Sequence, residues 1–262
     1  MGSNKKITNQ TLKRKYDEIY KHGAYENFFT FENDTLLHAI LDKLDDLSGK
    51  SLLDVGCGEG DFLAMLEKSN AKTLTGIDYS KEAIKIAEGR LNHRKDIILE
   101  CIEAKEVTDK YDVITMAGIL EHIDEPFGLL RKLIKTNLNE EGLLVTVSPS
   151  FMNPRGYIWM TLQILLDVPM SLSDLHFFTP DDFIKFAKKN DAEIEIDTFD
   201  QDWGGGERTI LDFKKRLVNA LRDAKLDNTR VDTFLSWLET ALPYFNHTKY
   251  SGALMIISLR VK

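Results

Sequence analysis

The sequence predicts an α/β fold: a doubly wound, mostly parallel seven-stranded sheet with helices on both faces, plus helical cap inserts. Three observations predict it. Short apolar runs alternate with stretches of helical periodicity from Ser51 onward, the pattern of strand–helix–strand crossovers, each of them right-handed. The first such run, Ser51–Val55, passes at once into Gly56, Gly58 and Gly60 and then into the helix-like run Phe62–Lys68. That is a strand, a tight turn and a helix N-terminus, whose unpaired N–H groups and partial positive charge can face a ligand. Finally, residues able to bind or react recur just after successive strands, at the carboxyl ends where open α/β sheets hold their ligands.

The composition narrows the function. The chain has 262 residues, 43% hydrophobic and 29% charged, enough for one large α/β domain with inserts. Its 34 Lys and Arg against 42 Asp and Glu leave a net charge of −8. That weighs against a nucleic-acid partner, which asks for a basic face. The two cysteines, Cys57 and Cys101, form neither a disulfide framework nor a metal-ligand spacing, so no metal is expected and a reducing, cytoplasmic setting fits. No apolar run approaches the roughly 20 residues that span a bilayer, and MGSNKKITNQ holds no hydrophobic signal region. No membrane partner is expected.

Taken in order, residues 1–45 read as an N-terminal helical arm. It comprises an amphipathic helix over Leu12–Tyr20, an aromatic loop over His22–Phe31, and a second helix over Asn33–Leu44 with Leu36, Leu37, Ile40, Leu41 and Leu44 at helical spacing. Residues 46–262 form the main domain. Its strands are expected at Ser51–Val55, Thr73–Ile77, Ile97–Cys101, Tyr111–Met116 and Gly142–Val147, with helices at Asp61–Ser69, Lys81–Leu91 and Pro126–Leu138. The alternation then breaks. A first insert, 149–178, is apolar and aromatic. Asp181–Lys189 reads as a helix and Ala192–Phe199 as a strand. A second insert, 201–250, opens with WGGG, read as a flexible turn, and continues in helices Glu207–Arg222 and Arg230–Leu242, the latter stopped by Pro243. Ala253–Val261 alternates apolar residues as a last strand.

The turn chemistry is informative. A pyrophosphate cradle has the spacing G-x-G-x-x-G. Here the spacing is G-x-G-x-G, with Glu59 and Asp61 where the phosphates would lie. A nucleoside without phosphates fits better, one carrying positive charge, with Asp54 at the strand mouth to face an ammonium group. Asp78, ending TLTGIDYS, stands where an acid accepts both hydroxyls of a ribose. Ser80 is the better N-cap for the next helix, and Tyr79 is placed to pack on an adenine.

On LDVGCGEGDF and the motifs that follow it in order, residues 45–200 resemble the Rossmann-like (class I) S-adenosylmethionine-dependent methyltransferases. The resemblance implies S-adenosyl-L-methionine as cofactor and an antiparallel last strand. It implies that Glu103 and Ala104, in ECIEAKEV, hold the adenine. It also places Met116, Ala117 and Gly118, in YDVITMAGILEH, beside the methionine part, with Ile119 beneath. The pair Glu121–His122 is similar to that of ubiquinone-pathway O-methyltransferases, in which another Glu three residues earlier helps bind a divalent metal. That position is Gly118 here, and two adjacent ligands do not make a site for a hard cation.

Two histidines are candidate catalytic residues, because histidine takes a proton near neutral pH. His122 follows the fourth strand, and its other reading is a hydrogen-bonded turn residue. His176, in SDLHFFTPDDF, precedes an expected capping box of Thr179 and Asp182 with Pro180 between them, and its other reading is a capping or buried histidine. Arg155 and Arg208 stand as anchors for an acidic acceptor, Lys214–Arg216 as a solvated helix face, and Cys101 as a buried strand residue. The expected function is methyl transfer from S-adenosyl-L-methionine to a small-molecule acceptor, on O or N, by direct in-line displacement. The inserts and arm would choose the acceptor. Three other functions are weighed against it: an RNA or protein methyltransferase, a non-catalytic cofactor-binding protein of the same fold, and a nicotinamide oxidoreductase, which the glycine spacing disfavours.

Overall fold

The structure, a computed structural model, describes residues 34–168, 170–171 and 174–261. The expected helix Leu12–Tyr20 and loop His22–Phe31 lie outside the described residues. Helix α1 spans Asp34–Leu41, and strand β1, Ser51–Val55, follows. Next come α2 (Asp61–Met65), β2 (Thr73–Ile77), α3 (Lys81–Leu91), β3 (Ile97–Glu100), β4 (Tyr111–Ala117), α4 (Pro126–Lys132) and β5 (Leu138–Pro149). The chain continues through α5 (Pro154–Met160), α6 (Pro180–Lys189), β6 (Ala192–Phe199), α7 (Gln201–Gly205), α8 (Glu207–Asp223), α9 (Val231–Ala241) and β7 (Leu254–Val261).

The strands form one seven-stranded sheet in the order β3-β2-β1-β4-β5-β7-β6. β1 is parallel to β2 and β4, and β7 is antiparallel to both β5 and β6. The mostly parallel sheet with one reversed strand is as expected. The order turns back between β1 and β4, and at such a switch point the crevice beyond the strand ends is open to a ligand.

Each face of the sheet carries its own core. Leu53, Ile114, Met116, Leu120, Leu144, Phe183 and Leu259 belong to one. Leu37, Ile40, Leu52, Phe62, Leu63, Val147 and Ile256 belong to the other. Helix α1 thus packs into the sheet's core through Leu37 and Ile40. The two inserts share a third core, in which Phe151 and Trp159 meet Phe213, Leu217, Leu235 and Leu238.

Most expected elements recur within a few residues, with two departures. The helix expected to end at Leu138 is α-helical only to Lys132 and closes in a wide π-type turn over Leu133–Asn137, after which β5 starts. WGGG is not a flexible turn. It lies in α7, capped by Asp200, whose carboxylate accepts from the Trp203 N–H at 3.0 Å. Gly204 and Gly205 are buried, and a Cβ on Gly204 would run into the Ser251 carbonyl. Glycine stands there because of close backbone approach. The Thr179 capping box is present: Asp182 accepts from both the N–H and the O–H of Thr179 at 2.8 Å.

Candidate active site

The glycine turn is built as its sequence requires. Gly56, Gly58 and Gly60 have φ of +73°, +54° and +82°, a region that side chains avoid and glycine enters freely. A Cβ on Gly56 would overlap the Ile119 side chain, so the turn after β1 sits directly on the loop after β4. The N–H groups of Gly56 and Cys57 donate to the Ile77 carbonyl at 2.8 and 3.0 Å, tying the turn to β2. At the end of β2, the Asp78 carboxylate accepts from Gly58 N–H at 3.2 Å and Ser80 N–H at 2.8 Å. Ser80 caps α3, accepting from Ala83 N–H.

Asp54 is buried at the mouth of β1 and accepts from the Thr115 hydroxyl of β4 at 2.8 Å. Burial pushes its carboxyl up to about 7 against the pull of that hydrogen bond. A buried acid of this kind is at its most stable when a cation comes to face it. The turn that a Cβ would fill, and the acid behind it, fit a cationic nucleoside such as S-adenosylmethionine.

The loop after β4 gathers the second half of the site. Met116 is buried, while Ala117, Gly118 and Ile119 are half-buried. Gly118 has φ +65° and donates to the Val147 carbonyl at 2.9 Å. Glu121 is only 3% exposed, and its carboxyl accepts from the Ser148 hydroxyl of β5 at 3.0 Å. Burial raises Glu121 to about 7, with His122 pulling it down and Asp174 pushing it up. His122 Nδ1 lies 3.5 Å from Asp174 Oδ1. His176 is placed differently. Its Nε2 is 2.8 Å from the Ile123 carbonyl, and its ring stacks on Phe178. A carbonyl only accepts, so Nε2 carries the proton. His176 therefore braces the turn that presents Glu121 and His122.

Glu103 and Ala104 follow β3 at the third strand end. Glu103 caps a 3₁₀ turn over Ala104–Glu106 and pairs with Lys105 at 2.7 Å. Tyr79 is half-buried beside the same strand ends. Cys101 is exposed and not a buried strand residue, because β3 stops one residue before it.

Three arginines are held by carboxylates. Arg155 is 2% exposed and bonded to Asp212 at 3.0 Å, with its guanidinium over the rings of Trp159 and Trp203. Arg208 pairs with Asp200 at 2.8 Å. Arg155 is therefore a structural tie between the inserts and not an anchor for an acidic acceptor, while Arg208 is held at the N-terminus of α7. Arg216 is not solvated either: it shares Asp212 with Arg155 and lies over Trp159. Lys214 and Lys215 are exposed, as expected.

Sequence reasoning missed Ser148, Thr115 and Asp174. Ser148 and Thr115 had a signal, being polar residues near the ends of otherwise apolar strands. Asp174 had none, because only the path of the first insert brings it to His122. Among the described residues, no three His, Cys, Asp or Glu side chains are placed to hold a metal ion, and no helix is long and apolar enough to cross a membrane.

Comparison with known proteins agrees with the fold and with the cofactor. The family model of the methyltransferase domain matches residues 28–197. The chain is 28% identical over 167 residues to the ubiquinone biosynthesis O-methyltransferase of Neisseria meningitidis, covering 59% of this chain and 69% of that protein. It is 30% identical over 170 residues to the enzyme of the same name from Vibrio parahaemolyticus, covering 61% and 70%. Among solved structures, the [4+2]-cyclase SpnF aligns over 97% of both chains with a TM-score of 0.63 at 16% identity. An S-adenosylmethionine-dependent methyltransferase from Mesorhizobium loti aligns over 87% of this chain and 97% of that one, with a TM-score of 0.54 at 15% identity. The structural likenesses speak for the fold alone. The family match covers more than half of the chain, so the chain belongs to the methyltransferase domain family and is an S-adenosylmethionine-dependent methyltransferase.

Proposed function

We propose that the protein methylates the hydroxyl oxygen of a small molecule, one as acidic as a phenol, with His122 as the proton acceptor. The observation that carries this reading is the Glu121–His122 turn after β4, where the His122 imidazole lies 3.5 Å from the Asp174 carboxylate and its charge acts on the buried Glu121 carboxyl. The O-methyltransferases of ubiquinone biosynthesis named above support an oxygen acceptor.

S-adenosylmethionine supplies the methyl group from a sulfonium: the O–C bond forms as the C–S bond breaks, and the electrons of the broken bond stay on sulfur. The protein's own part is alignment and proton removal. In this reading Gly56, Gly58 and Gly60 let the ligand lie against backbone. Asp54 meets its ammonium group, and Asp78 meets its ribose. Glu103 and the N–H of Ala104 take the adenine edge, Tyr79 its face, and Met116 and Ala117 the methionine chain. His122 takes the hydroxyl proton and passes it to water, and Glu121 and Asp174 stabilise the imidazolium formed. Imidazole matches a phenol, whose pKa is about 10, far better than an aliphatic alcohol. The helices of the two inserts form the cap that selects the acceptor.

The test is transfer of labelled methyl to catechol, phenol, aniline and cyclohexanol. Methylation of the two phenols is expected, with His122→Ala lowering kcat on catechol by about 10²-fold or more while calorimetric binding of S-adenosylhomocysteine is kept. Methylation of aniline alone, or a wild-type rate in His122→Ala, would refute the reading.

A further inference from the structure

The first insert does more than cover the sheet. Where it returns toward α6, residues 174–176 lie along the turn 121–123. The N–H groups of Leu175 and His176 both donate to the Glu121 carbonyl, at 2.7 and 3.3 Å, and His176 Nε2 bonds the Ile123 carbonyl at 2.8 Å. Three bonds therefore hold the backbone next to Asp174 against the backbone next to His122. The side chains face each other across this staple, Asp174 Oδ1 being 3.5 Å from His122 Nδ1. Both are largely buried, at 13% and 17% side-chain exposure, so water does not screen the pair as it would on the surface.

The charge of Asp174 reaches into the insert. The buried guanidinium of Arg155, on α5, feels the charge of Asp174 as well as that of Asp212. Arg155 is in turn fixed by Asp212 and by the faces of Trp159 and Trp203. The carboxylate that meets the catalytic imidazole thus belongs to the first insert, not to the sheet.

We propose that Asp174 is a positioning residue: it accepts from His122 Nδ1–H, and so leaves the basic lone pair on Nε2 and fixes the plane of the ring. The long separation becomes a hydrogen bond if the strap closes by about half an ångström, as catalytic pairs do on binding substrate. In the reaction, the acceptor's proton goes to Nε2 and the positive ring is then paired with Asp174. Proton removal is thereby coupled to seating of the insert, and turnover requires a docked cap. The inference rests on His122 as the proton acceptor, but the ring's tautomer can be read without turnover.

Two measurements test it, both on the full chain with S-adenosylhomocysteine or S-adenosylmethionine present. The first is the ¹⁵N chemical shifts of the His122 ring, assigned by His122→Gln. The wild type is expected to show protonated Nδ1 and bare Nε2. Asp174→Asn should lose that preference, and Asp174→Glu should restore it in part. Unchanged ring shifts in Asp174→Asn would overturn the proposal, whatever the acceptor proves to be. The second is methyl transfer to catechol. Asp174→Asn should lower kcat by about 10²-fold with S-adenosylhomocysteine affinity kept, and Asp174→Glu should recover at least a tenth of the wild-type rate. Equal losses in the two variants, or a loss matched by weaker S-adenosylhomocysteine binding, would mark a structural role and overturn it.

Discussion

Glu121 sits where a charge is costly. It is 3% exposed, its carboxyl has one hydroxyl partner in Ser148, and burial raises it from 4.5 to about 7. Between those values the folded chain keeps a proton that the unfolded chain has lost. The stability contributed by the protonated acid is complete below the unfolded pKa and is lost as the pH rises through the folded one. Asp54 shifts in the same direction and for the same first cause, burial, and adds a loss over the same window. Glu121→Gln keeps the acceptor for Ser148 and removes the titration. Its melting temperature should gain on that of the wild type between about pH 5 and about pH 8, by the equivalent of roughly 2–3 kcal/mol at most. Parallel curves would show that Glu121 is ionised in the folded protein. The sequence marked Glu121 through its pairing with His122, and His122 through its place after the fourth strand. It did not mark the burial that sets Glu121 apart, because burial depends on β5 and on the strap at 174–176, both distant in the chain.

At the scale of elements, the reading succeeded where a pattern is local. The glycine turn was legible because strand, turn and helix are contiguous, and the Thr179–Asp182 box because its two partners are three residues apart. WGGG was misread because its reason is remote: Gly204 is flat against the Ser251 carbonyl and Gly205 against Pro154. Arg155 was misread for the same reason, since Asp212 and the tryptophans reach it only through folding; for Arg216 the pairing with Asp212 is a local i,i+4 contact on α8, and only Trp159 is remote. The distinction between a glycine needed for contact and one merely tolerated can be measured. Gly204→Ala should cost about 1–3 kcal/mol by overpacking against backbone. Gly89, inside α3, has nothing within 4 Å of a Cβ, and Gly89→Ala should stabilise by roughly 0.5–1 kcal/mol. Chemical denaturation of the two variants checks both signs. A neutral Gly204→Ala would mean that the α7 contact yields, as a flexible turn would.

The whole molecule is three cores, one on each face of the sheet and one shared by the inserts. The fold was legible at this scale because alternating strands and helices leave few topologies open. That the two inserts pack on each other was not legible, since no periodicity links residues 151–170 to 210–242. Beside the apolar contacts of their shared core, Asp212, 1% exposed, ties them by accepting from Arg155 and Arg216. Burial alone would raise this carboxyl, but the two guanidinium groups hold it below the usual carboxylate range. Asp212→Ala leaves Arg155 buried and unpaired, at a cost of about 3–5 kcal/mol. That cost falls on the insert core, while the glycine turn and Asp78 rest on the other two. The variant should therefore bind S-adenosylhomocysteine with little change by calorimetry, melt with an early transition, and lose most of its turnover of catechol. Replacing the triad together by Arg155→Met, Asp212→Leu and Arg216→Met removes the stranded charge along with its partner, and should recover most of the stability. Its turnover then reports whether the Asp174–His122 pair works without the charge of Arg155 nearby. If S-adenosylhomocysteine affinity falls in step with turnover in Asp212→Ala, the inserts and the sheet unfold as one unit, and the division of labour between a cofactor-holding sheet and an acceptor-choosing cap is wrong.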